Sequence, residues 1–98
     1  MNPPALTTSV IIPTYIRAQL LVRAVQSILP QLIDGDEILV MDDGSSDQTA
    51  EVVKSLPGNI RYFQLENGGP SRARNIAMQH ASGDLLALRS DMTVPIAR

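Results

Sequence analysis

The chain has 98 residues, 44% of them hydrophobic, with 18% charged and a formal net charge of -2. That describes one small globular domain with a single modest core, and it excludes a general electrostatic attraction to nucleic acid or anionic lipid. The absence of cysteine excludes disulfides, zinc-thiolate sites and thiol catalysis; the single histidine, His80, excludes a two-histidine metal site; and three aromatics, Tyr15, Tyr62 and Phe63, are too few for a base-stacking platform.

The first nine residues, MNPPALTTS, carry no positive charge and no long apolar run, so they do not read as a signal peptide. No apolar stretch approaches the roughly 20 residues that a membrane-spanning helix needs. The expected compartment is therefore the cytoplasm.

Ser9-Val10-Ile11-Ile12 is a short β-branched run before Pro13 and predicts a buried strand. Leu21, Val25, Ile28, Leu29 and Leu32 then recur at helical steps from Ala18 onward, and Pro30 ends or distorts that helix. Asp34-Gly35-Asp36 turns the chain into a second strand, Ile38 to Met41, which ends at Asp42. Ser45 with Gln48 three residues later predicts a capping box for a helix carrying Val52, Val53 and Leu56, and Pro57-Gly58 stops it. Ile60 to Leu65 predicts a third strand. Gly68-Gly69-Pro70-Ser71 is a turn opening a third helix, whose small-residue face is Ala73, Ile76, Ala77 and Ala81. Ser82-Gly83 ends it, and Leu85 to Leu88 predicts a fourth strand. Met41 and Met78 read as core residues, and His80 as a last-turn partner of the helix dipole.

The order β-α-β-α-β-α-β with nearly all-apolar strands predicts an α/β fold. Its architecture is a three-layer α/β/α sandwich with a mainly parallel sheet of about four strands. Right-handed crossovers bring all strand C-terminal ends to one edge, where ligands bind in such sheets. That edge collects Pro13-Thr14-Tyr15, Asp42-Asp43-Gly44, Glu66-Asn67-Gly68-Gly69 and Arg89-Ser90-Asp91.

Charge is uneven along the chain. Asp34, Asp36, Glu37, Asp42, Asp43 and Asp47 form an acidic run, whereas Arg61, Arg72 and Arg74 follow later with only Glu66 between them. Asp42 and Asp43 suit a metal, or the N–H and hydroxyl groups of a nucleoside, or a cap on the following helix. Arg72 and Arg74, beside a glycine turn at a helix start, suit an anion; the alternative is ordinary surface arginines. Tyr15 either stacks on a base or covers the sheet edge. Neither GxxxxGK[ST] nor GxGxxG occurs.

Four segments resemble family 2 glycosyltransferases of the GT-A (Rossmann-like) fold: Ser9-Val-Ile-Ile-Pro-Thr-Tyr15, Val40-Met-Asp-Asp-Gly-Ser-Ser-Asp-Gln-Thr49, Asn67-Gly-Gly-Pro-Ser-Arg-Ala-Arg-Asn75 and Gly83-Asp84. The resemblance runs from about Thr8 to about Leu88. It implies binding of a nucleotide-diphospho-sugar donor, commonly a UDP-sugar. By resemblance, Pro13, Thr14 and Tyr15 hold the nucleoside, Asp43 with Asp42 beside it faces base and ribose, and Gly69, Arg72 and Arg74 lie near base and diphosphate.

The resemblance also implies Mg²⁺ or Mn²⁺ held by an Asp-x-Asp motif after the fourth strand. Asp91 is the metal candidate, but Arg89 replaces the first Asp, which weakens a metal site that few protein oxygens hold. Ile16 stands where the family usually has Asn. The expectation is a single domain over residues 1–98, the N-terminal nucleotide-binding half of a truncated GT-A domain. Without the acceptor half, the isolated chain would bind donor and not transfer sugar, and no catalytic residue is assigned. The alternative is a non-catalytic binding or assembly module on the same scaffold, with an open sheet edge that favours a homo-oligomer or a docking partner. Ile38 to Asp43 also resembles the first strand of phosphoacceptor receiver domains. That reading fails because a full strand and helix precede it, and no Lys follows Lys54.

Overall fold

The computed structural model describes residues 6–89. In chain order they form β1 (Thr8–Thr14), α1 (Ala18–Ile28), a 3-10 turn (Leu29–Gln31), β2 (Glu37–Asp42), α2 (Thr49–Lys54), β3 (Ile60–Gln64), α3 (Pro70–His80) and β4 (Leu85–Leu88). The four strands make one sheet in the order β3-β2-β1-β4, and every neighbouring pair is parallel. Thr14 lies opposite Asp42, and Asp42 opposite Gln64, so the C-terminal ends of β1, β2 and β3 are level.

Alternation along the two central strands separates the core into two layers. Val10, Ile12, Ile38 and Val40 face Leu21, Val25 and Ile28 of α1 and Val53 of α2. Ile11, Leu39 and Met41 face the opposite way, onto Ala73 and Ala77 of α3. Both faces of β2 are therefore covered, which is why residues 38–41 read as a continuous apolar run rather than as apolar-polar alternation. Complete burial of each large side chain in these layers contributes about 1.5–3 kcal/mol. Ala73 and Ala77, both fully buried, let α3 approach the sheet closely.

Several boundaries differ from the sequence expectation for identifiable reasons. Pro13 lies inside β1 rather than ending it. The Arg89 N–H bonds the Ile11 carbonyl on the β4 side, and the Asp43 N–H bonds the Thr14 carbonyl on the β2 side. By alternation, Pro13 turns its missing N–H toward the β4 side, past the last β1–β4 pair, Ile11 with Leu88. Pro30 sits in the 3-10 turn, which needs no N–H from it. The helix α2 starts at Thr49, and the capping box does not form. The Ser45 N–H is held by Asp42 Oδ1 at 2.8 Å, and Ser45 Oγ accepts from the Ile16 N–H at 2.7 Å, so Ser45 serves the sheet edge instead. Leu65 lies just outside β3, although its N–H still bonds the Asp42 carbonyl at 2.8 Å. Met41 is buried in the core, but Met78 is exposed on α3 and does not belong to it.

At the opposite end of the sheet, Glu37 is 3% exposed and joins three elements. It accepts from Ser9 Oγ at 2.6 Å, from the Ser82 N–H at 2.8 Å and hydroxyl at 2.9 Å, and from Arg61 Nη1 at 3.2 Å. Burial alone would raise its pKa, but these donors outweigh it and hold the carboxyl at about 2. Among the described residues, the strand β4 pairs only with β1, and Leu85, Leu86 and Leu88 are exposed on it. Among the described residues, no helix is long and apolar enough to cross a membrane.

Candidate functional site

The level strand ends bring most of the sequence candidates to one edge. Thr14 is buried at the end of β1, Pro13 is half-buried before it, and Tyr15 is exposed immediately after it. One strand away lie Asp42 and Asp43. The Asp43 N–H donates to the Thr14 carbonyl at 2.9 Å, which locks the two loops together.

The two carboxylates have different surroundings. Asp42 is 1% exposed, and both its oxygens are occupied within the protein: Oδ1 by the Ser45 N–H and Oδ2 by the Tyr62 hydroxyl. It points into the fold and closes the turn toward α2. Asp43 is half-buried at the edge. Its Oδ1 accepts from the Gly68 N–H at 2.8 Å and its Oδ2 from the Gly69 N–H at 3.1 Å. Each oxygen keeps a second lone pair for a donor from outside. The Asn67 amide reaches the Asp43 carbonyl at 3.3 Å, so one loop wraps this residue.

Two glycines allow that approach. Gly44 has φ +85, and a Cβ there would lie 3.2 Å from the Asn67 backbone nitrogen. Gly69 precedes α3 with φ +91, and open space surrounds the position of its missing Cβ. Arg72 folds back over Gly68, with Nη1 on the Glu66 carbonyl at 3.0 Å. Arg74 is half-buried and bonds Ser71 Oγ at 3.1 Å. Both cations are therefore carried by the first turns of α3, whose N-terminal end favours anions.

Sequence reasoning gave no role to several residues that shape the edge. Ile16 has φ +48, a left-handed conformation that is strained for a β-branched side chain. Its N–H is held by Ser45. The Asp47 carboxyl lies below the usual carboxylate range, chiefly through the Thr49 hydroxyl, with backbone N–H groups of Thr49 and Ala18 adding to it. It thus ties the starts of α1 and α2 together. Tyr62 pairs with Val40 across the parallel ladder, which sets its hydroxyl within reach of Asp42 two residues on. Burial, and then this bond to Asp42, push the Tyr62 phenol above its ordinary value. Register and face together were the available signal.

The described carboxylates fit a divalent cation poorly. No group of three or more His, Asp or Glu among the described residues could hold one. Asp42 is consumed internally, Asp43 is spanned by two backbone N–H groups, and the end of β4 presents Arg89. Asp91, the metal candidate from sequence, lies outside the described residues.

Comparison with known proteins agrees with this architecture. The model of the family described as "Glycosyl transferase family 2" matches residues 9–91. An uncharacterized glycosyltransferase of Rickettsia felis is 41% identical over 81 residues, covering 81% of this chain and 14% of that protein. The GalNAc(5)-diNAcBac-PP-undecaprenol beta-1,3-glucosyltransferase of Campylobacter jejuni is 40% identical over 88 residues, covering 85% of this chain and 28% of that one. The chain thus spans well under a third of the length of these two relatives. Among solved structures, S. aureus TarS (residues 1–349) superposes with a TM-score of 0.81 at 31% identity, over 89% of this chain and 28% of that one. The mannosyltransferase PcManGT of Pyrobaculum calidifontis, in complex with GDP-Man and Mn²⁺, superposes with a TM-score of 0.71 at 26% identity, over 87% of this chain and 27% of that one. From the matched span, the parallel GT-A-like sheet and the motifs on its edge, the chain belongs to glycosyl transferase family 2.

Proposed function

We propose that the edge formed by Pro13, Thr14, Tyr15, Asp43, Gly69, Arg72 and Arg74 binds the nucleotide diphosphate of a sugar donor, a UDP-sugar in preference to others. The observation that carries this reading is the Asp43 carboxylate held between the Gly68 and Gly69 N–H groups, at the mouth of a glycine turn that opens α3. Its remaining lone pairs suit the N–H of a base and the hydroxyls of a ribose. The exposed Tyr15 would cover the base, and Arg72 and Arg74 would exchange their present bonds to the Glu66 carbonyl and Ser71 Oγ for phosphate oxygens. PcManGT was solved with a sugar nucleotide, which supports the same class of ligand here. Asp42 contributes by fixing the turn that presents Asp43.

Donor binding without sugar transfer is the activity we expect of these 98 residues alone. Amide NMR tests both parts. Added UDP should shift the Gly68 and Gly69 amides and leave the far end of the sheet, around Gly58, unmoved. Shifts spread over the whole chain, or none, would refute the site. Sugar transfer catalysed by the purified chain would refute the inactivity.

A second reading, an assembly module, is favoured by one observation: the apolar β4 edge with Leu85, Leu86 and Leu88 exposed. It predicts self-association or docking through β4, read by sedimentation velocity across a concentration series. A monomer at every concentration, with no partner docked on β4, would count against it.

A further inference from the structure

We infer that this edge binds the donor's diphosphate through the Arg89 guanidinium, independently of a divalent metal. The inference rests on the donor-site reading above and adds to it the means of charge neutralisation. Three observations converge. First, the two aspartates of this edge take hydrogen bonds from within the protein, Asp42 from Ser45 and Tyr62 and Asp43 from Gly68 and Gly69, and no group of three or more acidic or histidine side chains among the described residues could hold a cation. Second, the position immediately after β4 is a cation. Arg89 is held in the plane of the sheet by its own N–H, which donates to the Ile11 carbonyl at 3.0 Å, one strand from the Pro13-Thr14-Tyr15 loop. Third, its guanidinium is not fully used: Nη1 donates to the Leu88 carbonyl at 2.8 Å, while the buried Nε has no partner among the described residues. A buried guanidinium N–H without an acceptor is costly, and an anion supplies the acceptor.

A planar guanidinium matches two phosphate oxygens at once, which an ammonium does not. With Arg72 and Arg74 at the start of α3, Arg89 would give the diphosphate cations on both sides of the Asp43 loop. Negative charge that a metal would otherwise neutralise is met by side chains of this chain. Such binding needs no metal loading, and its strength falls with ionic strength.

The test is a calorimetric titration of UDP into the purified chain in EDTA and, separately, in Mn²⁺. Equal saturable binding in the two conditions supports the inference. Binding seen only with Mn²⁺ overturns it and leaves the donor site standing. Binding in neither condition removes the donor site, and the inference with it. Arg89→Gln should weaken UDP by roughly tenfold or more in EDTA while leaving uridine binding within about twofold, because only the phosphate contact is lost. Unchanged UDP affinity in a folded Arg89→Gln would overturn the assignment. Arg89→Asp should abolish binding in EDTA; retained affinity there would also overturn it. If either variant fails to fold, the comparison of EDTA with Mn²⁺ in the natural chain still decides, and Arg89→Lys, which keeps charge without the planar fork, serves as the second variant.

Discussion

Replacing Glu37 by Gln keeps the side-chain shape and removes the charge from a buried cluster. Glu37 is 3% exposed and takes hydrogen bonds from Ser9, Ser82 and Arg61. Those donors hold its pKa at about 2 against an ordinary 4.5. The unfolded chain therefore binds this proton more tightly than the folded one. The stabilisation is fully present above pH 4.5 and is lost as the pH falls from there toward 2. Each factor of ten in proton affinity is worth about 1.4 kcal/mol, so the depression corresponds to about 3 kcal/mol at neutral pH. Arg61 is 39% exposed, so the serine donors, not the ion pair, supply most of it. Urea denaturation at neutral pH should show Glu37→Gln less stable by about 3 kcal/mol, a large part of the stability of a domain this size. Repeated toward pH 2, the two proteins should converge. A variant as stable as the parent at neutral pH, or a gap that persists undiminished in acid, would refute the reasoning.

Two further substitutions probe the local geometry of the edge. Ile16→Asn should stabilise the protein by about 1 kcal/mol, because Asn tolerates the left-handed backbone at φ +48 and the half-exposed Ile16 loses little packing; a lower thermal midpoint would contradict this. Tyr62→Phe leaves Asp42 Oδ2 buried without its donor and should cost about 1–3 kcal/mol in urea denaturation, whereas an unchanged midpoint would mean that the hydroxyl is not needed there.

Much of the architecture was legible because strand and helix periods are strong where one surface is buried. Ile38 to Met41 is apolar on both faces, and Leu21, Val25 and Ile28 repeat at helical spacing, so β2 and α1 stood out. The parallel order alone brings Tyr15, Asp43 and Gly69 to one edge. What stayed hidden depends on contacts between segments distant in sequence. Ser45 looked like a helix cap because its spacing to Gln48 fits one, but the buried Asp42 and the strained Ile16 compete for its polar groups and win. The two adjacent aspartates were indistinguishable as letters. Only the register of β2 with β3, which sets Tyr62 opposite Val40 with its hydroxyl within reach of Asp42, separates the inward carboxylate from the outward one. Glu37 read as one more acid in an acidic run, since its partners Ser9, Arg61 and Ser82 come from three other places in the chain.

The central claim is that the Asp43–Gly69 edge is a nucleotide site, and a calorimetric titration of UDP into the chain and into Tyr15→Ala tests it most directly. Tyr15 is 45% exposed, so its truncation should leave the unfolding transition in place while weakening UDP by roughly tenfold, the worth of a lost base-stacking contact. Saturable binding to the parent with that loss in a folded variant is the predicted result. Binding that is absent from the parent, or identical in Tyr15→Ala, would contradict the account.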